Sequence, residues 1–202
     1  LVVELDGFFI GIVGVYYNEK ILYIIYIMAG DKQSNTKLNY TLLKIAQILN
    51  EHNINNWFVG YGTLLGIIRD SSCIDGDDDV DIISNYDDYD KIKSILHTRG
   101  FTFCYEHGIN NTKDILKTNE TNEYSSVDFY MARIDPHGNY IDMWEKVVWS
   151  ICYKDNKLIK LDWNGTALYI PNNYESKLIN RYGDHWRIPQ NNKGPYPRKM
   201  VI

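Results

Sequence analysis

The chain reads as an α+β protein, and three observations predict that class. Apolar residues recur at helical spacing in some stretches and at strand spacing in others. The two kinds of segment mix without the regular strand–helix–strand rhythm of a parallel α/β fold. No internal repeat organises them. The chain has 202 residues, 45% of them hydrophobic and 23% charged. That composition suits a single globular domain over 1–202 with a core of its own.

Residues 8–17 and 21–29 are apolar runs divided by Asn18-Glu19-Lys20. Each is shorter than the ~20 residues a membrane helix needs. Glu4 and Asp6 precede the first run, where a signal peptide would carry basic residues. The β-branched and aromatic content predicts a hairpin, 11–17 turning into 21–28, within an N-terminal extension over 1–30. This argues against a membrane anchor and makes a cytoplasmic chain the expectation. The first residue is Leu, not Met. The native start is therefore expected elsewhere, and a longer N-terminus would admit a secretory lumen.

After the polar stretch 30–39, residues 41–52 place Leu42, Leu43, Ile45, Ala46, Ile48 and Leu49 on one helical stripe. Trp57-Phe58-Val59 reads as a short buried strand that runs into Gly60-Tyr61-Gly62-Thr63, with Thr63 capping a short helix. Residues 80–84 form a strand, 89–98 a helix closed by Arg99-Gly100, and 101–105 another strand. Residues 107–124 show no period and read as a variable loop. Strands follow over 129–134 and 140–144, around a turn at Gly138. A hairpin is expected over 147–153 and 157–161, and a last helix over 174–181.

Net charge is −5. A dedicated nucleic-acid binder would need a basic stripe, so that class is set aside. Cys73, Cys104 and Cys152 lie too far apart for a zinc ribbon or a CxxC pair, and an odd count favours a reducing compartment.

The informative segment is Asp75-Gly76-Asp77-Asp78-Asp79-Val80-Asp81-Ile82-Ile83. In an extended strand Asp79 and Asp81 leave one face while Val80 and Ile82 enter the core. Adjacent carboxylates on a core strand oppose each other's ionisation. Magnesium or manganese relieves this, because hard cations choose carboxylate oxygens and leave room for phosphates. Gly62-Thr63, at a strand-to-helix turn, can offer N–H groups and a hydroxyl to a phosphate. Arg69 is a candidate phosphate clamp, with a helix-end salt bridge as its ordinary role. A third carboxylate is expected to complete a two-metal site. Asp142, inside the apolar strand Tyr140-Ile141-Asp142-Met143-Trp144, is preferred to Asp128. Tyr61, Trp144 and Trp186 are stacking candidates, and Lys177, Arg181 and Arg187 are phosphate candidates.

The run Tyr61-Gly62-Thr63-Leu64-Leu65-Gly66-Ile67-Ile68-Arg69, then Asp77-Asp78-Asp79-Val80-Asp81-Ile82, resembles the LicD family, which includes the fukutin-type proteins. Tyr140-Ile141-Asp142-Met143-Trp144, Ile170-Pro171-Asn172-Asn173-Tyr174 and Arg181-Tyr182-Gly183-Asp184-His185-Trp186 resemble its later landmarks, in order, over 41–190. Asp75-Gly76 departs from the family's usual Pro-Trp at that point.

The resemblance implies a nucleotidyltransferase-like mixed sheet flanked by helices. It also implies transfer of a phospho-alcohol, of the phosphocholine or ribitol-phosphate type, from a CDP-linked donor to a sugar hydroxyl. By the same resemblance Asp79, Asp81 and Asp142 hold Mg2+ or Mn2+, Gly62 and Thr63 approach the donor phosphates, and Asp77 assists. The alternatives are a nucleotidyltransferase moving a nucleoside monophosphate and a non-catalytic nucleotide or carbohydrate binder.

Overall fold

The computed structural model describes residues 31–105 and 109–189, together with the backbone of 2–5, 8–17 and 20–28. The chain divides into two units, Leu1–Lys32 and Gln33–Ile202.

The first unit is an antiparallel sheet of β1 (Val2–Leu5), β2 (Phe8–Tyr17) and β3 (Lys20–Met28), in that order. β2 and β3 stay in register from Phe9↔Met28 to Tyr17↔Lys20. The hairpin predicted from the two apolar runs is present, longer at both ends and joined by a third strand. Among the described residues no helix is long and apolar enough to cross a membrane.

The second unit opens with α1 (Asn35–Glu51). The Ser34 hydroxyl accepts the Lys37 N–H at 3.3 Å, so the helix begins at Asn35 and not at 41. Leu38, Leu42, Ile45 and Leu49 form its fully buried stripe. β4 (Trp57–Val59) follows, with all three side chains buried, then α2 (Tyr61–Asp70) and β5 (Asp79–Asn85). A 3-10 turn at Tyr86–Asp88 leads into α3 (Tyr89–Thr98).

The remaining elements are β6 (Ile115–Lys117), β7 (Ser126–Ile134), β8 (Tyr140–Asp142), β9 (Val148–Trp149), β10 (Ile159–Trp163), β11 (Thr166–Ile170) and α4 (Tyr174–Tyr182). The main sheet runs β4-β5-β7-β8-β9, with β6 also on β7. β5 and β7 are parallel and the other pairs antiparallel, which makes the sheet mixed. β10 and β11 form a separate ribbon. The Asn50 amide ties it to α1 by donating to the Ala167 carbonyl at 2.9 Å.

Three sequence expectations change here. Residues 101–105 form no strand and contribute only an isolated bridge, Phe103↔Thr118. Residues 107–124, expected as loop, contain β6. The turn at Asp155-Asn156 exists, closed by the bridge Lys154↔Lys157, but no hairpin extends from it. β9 pairs with β8, and β10 turns back on β11. Both reversals use a two-residue left-handed turn, Asp155-Asn156 at φ 51° and 62° and Asn164-Gly165 at φ 50° and 75°, but only the second carries paired strands.

Candidate active site

The site is assembled where α2 begins beside β5. Three consecutive polar contacts fasten the two elements at Asp81. The Gly60 N–H donates to the Asp81 carbonyl at 3.0 Å. The Gly62 N–H donates to Asp81 Oδ2 at 2.9 Å, and the Asp81 N–H donates to Thr63 Oγ1 at 2.9 Å. Thr63 is therefore not the helix cap that its position suggested. Gly60 occupies the N-cap, and the buried Thr63 hydroxyl satisfies the strand instead.

Tyr61 lies in the left-handed region, at φ 40°, a strained conformation for a bulky residue. Its surroundings hold it there. The hydroxyl donates to Asp142 Oδ2 at 2.5 Å, and the ring meets Tyr130 edge-on at 4.7 Å and Trp149 at 5.2 Å. The Arg181 guanidinium lies 4.2 Å from the ring centroid. The strain sits one residue before Gly62 and sets the direction of its N–H.

Asp79 and Asp81 lie two residues apart on β5 and so leave the same face. The parallel register with β7 puts Asp128 directly opposite Asp81. On β6, Lys117 stands opposite Asp128. Its ammonium is 2.7 Å from Asp128 Oδ1 and 3.4 Å from Asp79 Oδ2. Asp77 approaches from the preceding turn. A Cβ added to Gly62 would lie 2.6 Å from Asp77 Oδ2 and 3.4 Å from Asp81 Oδ2, so both carboxylates close on the bare glycine.

The electrostatics follow from burial and crowding. Burial, then the neighbouring Asp78, pushes Asp77 up to about 6. Burial also raises Asp79 well above the carboxylate range, with Asp128 and Asp81 adding to it and Lys117 pulling back. Asp81 is raised by burial, Asp77 and Asp128, against Arg181 and the Gly62 N–H. Asp128 is raised by burial in spite of Lys117. Like charges taken out of water oppose one another, and a cation relieves the whole group.

The residues present fit a divalent ion. The donors are hard oxygens. Asp128 Oδ1 is buried and faces the Lys117 ammonium at 2.7 Å, so the site already draws a cation to that oxygen. The missing side chain at Gly62 leaves the space where two carboxylates meet. Among the described residues no three His, Cys, Asp or Glu side chains already converge as a finished metal cage. Lys117 stands between two of them.

The other sequence candidates are dispersed. Asp142 is fully buried and committed elsewhere: Oδ2 accepts from Tyr61, and Oδ1 accepts the N–H groups of Trp144 at 2.8 Å and Glu145 at 2.9 Å. The register brings Asp128, the rival, to Asp81, because β8 pairs with the far end of β7, where Asp142 faces Ala132. Arg69, at the end of α2, forms a bidentate pair with Asp70, with its closest contact at 2.7 Å. That is seven residues, roughly 10 Å, along the helix from Gly62.

Lys177 donates to the Val148 carbonyl at 2.7 Å, and Arg187 pairs with Glu175 at 2.7 Å. Trp186 is buried and Trp144 half exposed. Among the phosphate candidates only Arg181 reaches the acid group. No local pattern singles out Lys117, which closes the short apolar pair Ile115-Leu116 inside a polar region.

Residues 53–175 match the family described as LicD/FKTN/FKRP, nucleotidyltransferase domain. No curated protein matches the sequence significantly. Among solved structures, the chain is similar to the lincosamide antibiotic adenylyltransferase LnuA in its lincomycin-bound crystal structure. The identity is 14% and the TM-score 0.49, over 78% of this chain and 95% of that one. It is also similar to the antibiotic-resistance factor ANT(2'')-Ia, at 13% identity and a TM-score of 0.46, over 68% of this chain and 66% of that one. The family match spans more than half of the chain and includes the turn, the acidic strand and Asp128. The chain therefore belongs to the LicD/FKTN/FKRP family of nucleotidyltransferase domains and is a transferase of that type.

Proposed function

We propose that the protein transfers a phospho-alcohol from a CDP-linked donor to a sugar hydroxyl, with Mg2+ or Mn2+ at the acid group. The observation that carries this reading is the row formed by Asp81 and Asp128 on adjacent strands, beside a turn whose Gly62 N–H is aimed at the same carboxylate. Family membership supplies the reaction class.

Asp81 would hold the ion, with Asp77 at its margin and with Asp79 and Asp128, which also pair with Lys117, completing its set. The bound ion supplies Lewis-acid stabilisation of phosphoryl oxygens and lowers the pKa of an attacking hydroxyl. The chain's own groups do the rest. Arg181, held over Tyr61 and beside Asp81, is placed to take a donor phosphate oxygen in a charge-assisted contact. Tyr61 and Thr63 fix the turn against the strand, so that the N–H of Gly62 keeps its direction during turnover. Burial and Asp78 push Asp77 up to about 6, which suits it to accept the acceptor proton near neutrality. Asp142 has a positioning role here: it holds Tyr61 and the Trp144–Glu145 backbone and touches no reacting group.

The test is incubation with CDP-linked alcohols labelled in the alcohol phosphate, alongside labelled nucleoside triphosphates, each with a panel of sugar acceptors. Label in the glycan and unlabelled cytidine monophosphate is the expected result. Exclusive transfer of the nucleotide portion overturns this reading in favour of a nucleotidyltransferase proper.

A further inference from the structure

We propose that Lys117 is the resident second cation of the site: its ammonium occupies the position between Asp79 and Asp128, so that the acid group takes up one divalent ion, against Asp81, and not two. This deepens the proposed function and rests on its reading of the acid group as a divalent-ion site.

The placement of Lys117 is built into the fold. Lys117, Asp128 and Asp81 lie in one row across β6, β7 and β5, each directly opposite the next. Cross-strand neighbours at one level share a face, so the three charged side chains are brought together by register alone. The outer edge of β6 is secured by a side chain that imitates a strand. The buried Asn110 accepts the Lys117 N–H through Oδ1 at 2.9 Å and donates to the Lys117 carbonyl through Nδ2, also at 2.9 Å. The lysine backbone is thus held from both sides, although β6 is only three residues long.

The ammonium itself is partly buried and spans two carboxylates on different strands, at 2.7 and 3.4 Å. An ammonium so placed is an ion pair with both carboxylates at once and so joins β6 to β7 and β5.

The charge count agrees with this division. Asp77, Asp79, Asp81 and Asp128 carry four negative charges when ionised. One divalent ion, Lys117 and the Arg181 guanidinium that acts on Asp81 offset all four. A second divalent ion would have to sit where the ammonium is, against its repulsion. Lys117 supplies the second positive charge without needing to be captured from solution. A lysine is a point charge with a flexible stem, able to turn from Asp79 toward a phosphoryl oxygen while staying on Asp128.

The experiment is a Mn2+ titration of the full chain followed by electron paramagnetic resonance, which counts bound ions without any turnover. Wild type and Lys117→Arg are expected to bind one ion, and Lys117→Met two, with the first held at least about ten-fold more tightly than in wild type. Two ions in wild type, or an unchanged count in Lys117→Met, overturn the proposal and leave the divalent-ion reading standing. No ion in wild type but one or more in Lys117→Met overturns that reading for the native chain and supports Lys117 as the occupant. No ion in either overturns both. Should Lys117→Met fail to fold, Lys117→Gln, which keeps a hydrogen-bond donor toward Asp128, is held to the same outcomes.

Discussion

Asp81 and Asp128 stand directly opposite each other on parallel neighbouring strands, both almost wholly buried. Two carboxylates so placed are tolerated only because other groups share their charge, and this sets what substitution should do. Asp81→Asn keeps an oxygen for the Gly62 N–H while removing one negative charge. The folded state is expected to be unharmed, with stability within ~1 kcal/mol of wild type or above it. Activity is expected to fall by roughly a thousand-fold, as when an electrostatic contact to the transition state is removed. Circular dichroism, thermal melts and Mn2+ affinity check this. Equal ion affinity in wild type and variant would count against the assignment.

Asp128→Asn and Asp142→Asn should separate the two third-acid candidates. Asp128→Asn is expected to weaken Mn2+ binding by ten-fold or more. Asp142→Asn should leave ion affinity within about two-fold and cost ~1–3 kcal/mol of stability, because it disturbs a buried acceptor of three hydrogen bonds. If Asp142→Asn removes ion binding in a folded protein, the division of roles is wrong.

The two glycines of α2 should respond differently to alanine. At Gly62 the new Cβ meets the end of the Asp77 side chain at 2.6 Å, and a side chain can swing away. Gly62→Ala is expected to keep the melting temperature within a few degrees while reducing activity and ion affinity. At Gly66 the Cβ would lie 2.4 Å from the Ser72 carbonyl and 3.0 Å from the Ile74 N, both backbone. Gly66→Ala should cost about 1–3 kcal/mol, measured by urea unfolding.

The thiols give a prediction independent of the acids. Burial pushes Cys73 and Cys152 up to about 12, from an ordinary value near 9. At pH 8 their thiolate fraction is roughly 10⁻⁴, so neither should react with a thiol reagent in the folded protein. Cys104, half-buried, is expected to react first. Unfolding should release the other two. In the native state both thiols bind more protons than in the unfolded chain between pH 9 and 12. Their contribution to stability is therefore complete below about 9 and declines as pH rises through that window. Three fast thiols at pH 8 contradict this account.

The sequence made the site's centre legible and left its rim obscure, for physical reasons. The Asp79–Asp81 alternation and the Gly62 turn are local patterns, and local geometry decides them. Lys117 and Asp128 join the site only through register between strands distant in sequence, which no local pattern encodes. Asp142 stands out in the sequence because a buried acid in an apolar strand needs a partner. It has one, in Tyr61, whose hydroxyl the sequence could not place. Thr63 was legible as a polar residue at a helix start, yet its hydroxyl serves the neighbouring strand. The start of α1 is hidden from any apolar period, because a capping serine outweighs the polar composition of 35–40. β6 is equally hidden, because three residues carry no period.

The three contacts that converge on Asp81 have one more implication. Gly60, Gly62 and Thr63 each bind a different atom of a single strand residue, so the turn and the acid cannot drift apart one change at a time. Beyond β7, Asp142, Trp149 and Arg181 carry the same stitching on to Tyr61, so a change at any of them is felt at the turn and, through it, at the acid.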